Sequence, residues 1–107
     1  MMVLPIDASR PLLVLAPPAP QFKDKEKNEA LTDRETGAAL VEVAVSLTSD
    51  TGGPQVLRVS VPQPGVPKDL AMGHLVKATG LTLIAGETRG RAWQMFKASA
   101  LTPVKGT

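Results

Sequence analysis

The side chains of this 107-residue chain that could do chemistry are mostly cations with one flat ring among them: Arg58, Lys77, Arg89, Arg91, Trp93 and Lys97. Four of the six fall within Arg89–Lys97. Single-stranded nucleic acid is bound by this pairing of parts. A basic track follows the phosphates, and an aromatic face stacks a base for about 1–3 kcal/mol. Trp93 is the only tryptophan, and the alternation of its strand puts it outside. There a ring can serve as a stacking platform, lie half-buried beneath a loop, or form a dimer contact.

Other chemistry lacks its parts. With no cysteine and a single histidine, the chain can build neither a disulfide framework nor a thiolate metal site, and no His/Cys/Asp arrangement or phosphate-cradling G-x-x-x-x-G-K-[ST] loop is present. No catalytic residue, metal ligand set or cofactor site is expected, and the protein reads as a non-enzyme. His74, just after Gly73, reads as a turn histidine. Asp33 and Glu35 read as solvated carboxylates in a loop crowded with other charges. The formal net charge of +2 hides an asymmetry: residues 1–50 carry eight acids and five bases, residues 51–107 two acids and seven bases. A polyanionic partner would meet the second half.

The elements that must position these residues are strands. Val41, Val43, Val45 and Leu47 alternate with Glu42, Ala44, Ser46 and Thr48, and in Gln55–Val61 the residues Leu57, Val59 and Val61 oppose Arg58 and Ser60. This is the pattern of two half-buried antiparallel strands, joined by a turn at Ser49–Pro54. Met72–Ile84 reads as one long strand bent in its middle. Val76 and Ala78 share one face, Lys77 and Thr79 the other, and the apolar series resumes at Leu81 and Leu83 only if Gly80 absorbs one residue of register. A bend of that kind closes small barrels. Gly86 and Gly90 mark a hairpin turn. The last strand, Arg91–Leu101, turns Phe96, Ala98 and Ala100 one way and Trp93, Met95, Lys97 and Ser99 the other.

Pro11–Ala16 is the first good strand, and Val3–Ile6, interrupted by Pro5, is an edge segment. Lys68–Met72, between Pro67 and Gly73, has room for one helical turn. The stretch 22–37, FKDKEKNEALTDRETG, holds only Ala30 and Leu31 as apolar members between its ends, too few to bury a helix face. It is expected to form an exposed, mobile hairpin loop that closes with the turn Asp33–Gly37. Residues 103–107 are expected to fray. The resulting fold class is all-β: one domain over residues 1–107, a small five-stranded antiparallel OB-like barrel with a long charged hairpin loop, a β-sandwich being the runner-up. A homodimer would add to the stability of so small a core, about 5–10 kcal/mol by general scaling. The longest apolar run, Leu12–Ala16, is too short for a membrane span or a signal peptide, so no membrane contact and a cytoplasmic location are expected.

Several features in order resemble a known family: P-[IV]-D-x-S-R at Pro5, Ile6, Asp7, Ser9 and Arg10; D-R-E-T-G at Asp33–Gly37; a pair of hydrophobic strands and a proline-bounded segment; G-x-x-V-x-x-x-G-L at Gly73, Val76, Gly80 and Leu81; and F-x-A-x-A at Phe96, Ala98 and Ala100. These resemble the small regulatory proteins of actinobacterial integrative and conjugative plasmids, described as activators of replication, integration and excision. The resemblance covers most of the chain and departs from it in the charged Phe22–Leu31 loop. It implies a role in mobile-element DNA metabolism, with replication or transfer proteins as partners, and supplies no catalytic residue. The leading expectation is a single-stranded DNA-binding accessory protein. The alternative is a regulatory adaptor working through protein contacts alone, and duplex recognition ranks third because no helix-turn-helix is present.

Overall fold

The computed structural model describes residues 2–7, 9–24, 26–27, 29–33, 35–47 and 53–104. Strands dominate it: β1 (Met2–Pro5), β2 (Leu12–Val14), β3 (Ala19–Pro20), β4 (Phe22–Asp24), β5 (Glu29–Ala30), β6 (Leu40–Leu47), β7 (Gln55–Pro62), β8 (Leu75–Thr79), β9 (Thr82–Thr88), β10 (Arg91–Lys97) and β11 (Ala100–Pro103). A 3-10 turn at Gln63–Gly65 precedes β8.

The two alternating runs form the backbone of the sheet as expected. β6 and β7 pair antiparallel from Leu40 opposite Pro62 to Leu47 opposite Gln55. The expected Ser49–Pro54 turn lies mostly outside the described residues. Val43, Val45, Val59 and Val61 are fully buried, together with Leu12, Val14 and Val76, each such side chain contributing about 1.5–3 kcal/mol of transfer free energy. Gly80 does bend the long strand. It adopts φ +65°, a left-handed conformation that glycine tolerates best, and separates β8 from β9.

That bend redirects the pairing. β8 lies between β2 and β11, whereas β9 lies between β1 and β10. The sheet order is β1-β9-β10-β7-β6-β2-β8-β11, with β3 also on β6, and the sheet curls into an open half-barrel whose edges are β1 and β11.

The strand count differs from the expected five, since this sheet holds nine strands. The additional ones are β1, β3 and the second halves of the two long strands, which divide into β8 and β9 and into β10 and β11; proline accounts for β3. Pro17-Pro18 cannot donate to a ladder, so the chain leaves β6 after β2 and returns to it as β3. Nor is the pairing wholly antiparallel, because β10 meets β7 in parallel at Phe96–Val59 and Lys97–Ser60. The expected strand Arg91–Leu101 is two strands. At the break the Ala98 amide donates to the Ser60 carbonyl (3.1 Å) and the Ser99 amide to the Thr79 carbonyl (2.8 Å), and β11 moves to β8. Lys68–Met72 is a run of turns without helix. The helical turn sits earlier, at Gln63–Gly65, where Pro64 presets φ. The charged stretch 22–37 holds its own hairpin, β4 on β5. Of the tail after Pro103 only Val104 is described, and its amide donates to the Leu75 carbonyl (2.9 Å). Among the described residues no helix is long and apolar enough to cross a membrane.

Candidate nucleic-acid interface

The hairpin β9–β10 is built by a two-residue turn. Thr88 opposes Arg91, and both residues between them have positive φ, Arg89 at 52° and Gly90 at 77°. This is the type I′ geometry whose twist matches that of the flanking strands. The register then follows without slippage, so Trp93 faces Gly86 and Lys97 faces Thr82. Residues directly opposite share a face, which places Arg91, Trp93, Met95 and Lys97 together with Thr88, Gly86 and Ile84.

Trp93 is fixed at two points. Its Nε1–H donates to Thr88 Oγ1 at 3.0 Å. A β-carbon at Gly86 would stand 2.6 Å from Cζ2 and 3.0 Å from Cε2 of the ring, so the indole lies across backbone that glycine leaves bare. The residue still exposes 40 % of its surface. Arg89 and Arg91 are exposed, and among the described residues neither has an acidic partner. A ring held flat with one guanidinium two residues away on its own face and a second at the turn can take a base and its flanking phosphates.

The other three candidates are placed differently. Lys97 ends β10 on the same face, but its ammonium ion-pairs with Asp33 Oδ1, and the two side chains are only 22 % and 3 % exposed. Asp33 is therefore not the solvated loop carboxylate that its neighbourhood implies. It is buried and accepts bonds from the Glu35 amide (3.3 Å) and the Thr36 hydroxyl (3.0 Å) as well as from Lys97. The Lys97 ammonium holds its carboxyl below the ordinary carboxylate value, desolvation opposes the shift, and the Glu35 and Thr36 bonds add to it. Arg58, on β7, is largely exposed and lies 3.6 Å from Glu42, whose other oxygen accepts from Gln21 Nε2 (3.2 Å). Lys77 stands on β8, opposite Thr102 of β11, in a shallow depression shared with Ser9 and Thr79. β8 does not neighbour β9, β10 or β7, so Lys77 does not join the hairpin group. A concavity of about 630 Å³ between proline segments, lined by Pro18, Pro20, Leu40, Val41, Pro64 and Pro67 among others, includes none of the six.

No family model, curated protein or solved structure matches the chain.

Sequence reasoning did not single out Thr88, and it read Gly86 as part of the hairpin turn and Asp33 as solvated, whereas Gly86 lies within β9 opposite Trp93. The first two were within reach, because a two-residue turn at Arg89–Gly90 fixes Trp93 opposite Gly86. Asp33 carries no such local signal, its partner being 64 residues away. His74 is the turn residue expected: its Nδ1 accepts from the Ala71 amide at 3.3 Å.

Proposed function

We propose that this chain binds single-stranded DNA through the face of the β9–β10 hairpin, as an accessory protein in the replication, integration or transfer of a plasmid or phage-like element. The observation that carries the reading is Trp93, exposed yet immobilised against Gly86 and Thr88, with Arg91 on its face and Arg89 at the turn. A pre-oriented ring loses little freedom when a base stacks on it. The core of the binding surface is Arg89, Arg91 and Trp93. Arg58 and Lys77 are outlying cations, and Lys97 contributes by anchoring the strand. The mobile-element setting, and replication or transfer proteins as partners, rest on the resemblance described above.

An OB-like reading of the barrel supports the same function. If β8 and β9 are taken as one bent strand, the pairings β2–β6, β6–β7, β7–β10, β10–β9 and β8–β2 link five strands of the open sheet in succession, in keeping with a barrel architecture used repeatedly for oligonucleotides.

Titration of Trp93 fluorescence with an unlabelled deoxyoligonucleotide tests the proposal. Quenching that weakens log-linearly with rising salt is the expected result. An unquenched tryptophan together with no binding at low ionic strength would overturn it.

A further inference from the structure

We infer that β1 is the contact through which two copies of this chain pair edge to edge, with Val3 against the second copy's Val3. The two edges of the sheet are unequal. β11 is covered where it begins: a β-carbon at Gly65 would stand 2.3 Å from the Ser99 carbonyl oxygen and 2.9 Å from Ala100 Cα, so the 3-10 turn lies directly on it. β1 has all four residues exposed, Met2 at 53 %, Val3 at 52 % and Leu4 at 43 % among them. Among the described residues seven large apolar side chains stand exposed, and four of these, Met2, Val3, Leu4 and Trp93, lie on the unit β1-β9-β10. No charge occurs between Met2 and Ile6, so the guards on this edge are its four-residue length and Pro5, which lacks a donor.

The register identifies the backbone groups on offer. The Ile6 amide donates to the Leu81 carbonyl at 2.9 Å, which makes Ile6–Leu81 a hydrogen-bonded pair. By alternation Leu4–Leu83 and Met2–Ala85 are hydrogen-bonded too, whereas Val3–Ile84 and Pro5–Thr82 are not. Val3 therefore turns both its N–H and its C=O away from β9, and Pro5 turns out a C=O without a donor. An antiparallel pairing centred on Val3 uses both Val3 groups twice and leaves the missing Pro5 donor at its ends. A pairing centred on Leu4 would set each Val3 against a proline and leave both Val3 carbonyls without a donor.

The Val3-centred register is also complementary in side chains. Met2 of each copy meets Leu4 of the other on one face, and the two Val3 residues meet beside Ile84 on the opposite face. A second copy thus supplies the matching apolar surface, as an isologous contact requires. One sheet would continue through both copies. Since opposite residues share a face, both Trp93 rings would lie on the same side of it. The pairing buries less than the ~1,200 Å² of a permanent interface, so the dimer is weak and concentration-dependent.

Two variants of the full chain test this. Val3→Pro removes an amide that β1–β9 pairing does not use, so the fold is kept while association falls by roughly tenfold or more in sedimentation equilibrium. In Val3→Cys the two thiols sit in a hydrogen-bonded pair with Cα atoms about 5.5 Å apart, within disulfide range. The chain has no other cysteine, so mild oxidation should give a covalent dimer faster than in the control Met72→Cys, whose parent residue is 71 % exposed. Equal rates for the two cysteine variants would overturn the inference. So would a folded Val3→Pro variant that associates as the parent does, or a parent chain that stays monomeric at millimolar concentration. A partner of a different sequence on this edge would appear as a parent chain that is monomeric alone.

Discussion

Arg91 and Lys97 share a strand and a face, and they differ in what the rest of the chain has brought to them. At the turn end of β10, Arg91 is open to solvent beside Trp93. At the far end, Lys97 is only 22 % exposed and is neutralised by Asp33. Strand alternation assigns both to the outer face and cannot distinguish them, because that face is a property of one strand while its cover comes from another part of the chain. For the proposed binding surface this leaves the open cation of β10 at the hairpin end, while the other end is a joint that fastens Asp33 to the sheet.

Substitution should separate the two ends most sharply in stability. Lys97→Ala leaves Asp33 buried without its counter-ion, and the partial exposure of Lys97 puts the expected loss at about 2–3 kcal/mol, seen as a lower urea midpoint. Arg91→Ala should move that midpoint by no more than about 0.5 kcal/mol. Equal effects would mean that the Asp33–Lys97 joint carries no stability. The contrast should reverse in binding. Trp93→Ala is expected to weaken oligonucleotide affinity about tenfold to a hundredfold, whereas Lys97→Ala, assayed below its melting transition, should leave affinity nearly unchanged.

Acid should act on one end only. The native Asp33 carboxyl is held below its ordinary value, so the unfolded chain protonates it first. Its contribution to stability is complete above the ordinary carboxylate range and is lost as pH falls through the lowered native value. Asp33→Asn should be less stable than the parent at neutral pH and should lack this part of the parent's acid-induced loss. Parallel stability curves for parent and variant between pH 6 and about 2 would remove Asp33 from the acid transition.

Much of the fold is legible where the pattern is long. β6 and β7 follow from eight and seven residues of alternation, the bend at Gly80 follows from a one-residue slip in the apolar series, and the inward Phe96 and Ala98 follow from period two. The edge position of β1 follows from Pro5, but segments such as β3 and β11 are too short to show a period, and they form because neighbouring backbone donors and acceptors need partners. The parallel contact of β10 with β7 depends on where the sheet curls, which no local stretch encodes. The candidate site divides in the same way. Arg89, Arg91 and Trp93 are local to one hairpin and can be read from it. Asp33 lies among exposed charges and is buried by a lysine far along the chain, so its surroundings in sequence point the wrong way.

The smallest expected effect bears on why an arginine occupies the turn at all. Arg89 has φ 52°, a conformation that costs a residue with a β-carbon about 1 kcal/mol and that glycine adopts freely, next to a Gly90 that already satisfies the second turn position. Arg89→Gly should therefore stabilise the folded chain by no more than about 0.5 kcal/mol after the added freedom of the unfolded chain is counted. If Arg89 contacts one phosphate, the same variant should lower the slope of log affinity against log salt by about 0.7. A gain in stability coupled to a shallower salt dependence would mean that the strained cation is kept at the turn for binding. A gain in stability with an unchanged slope would confine the binding surface to Arg91 and Trp93 and leave the turn outside it.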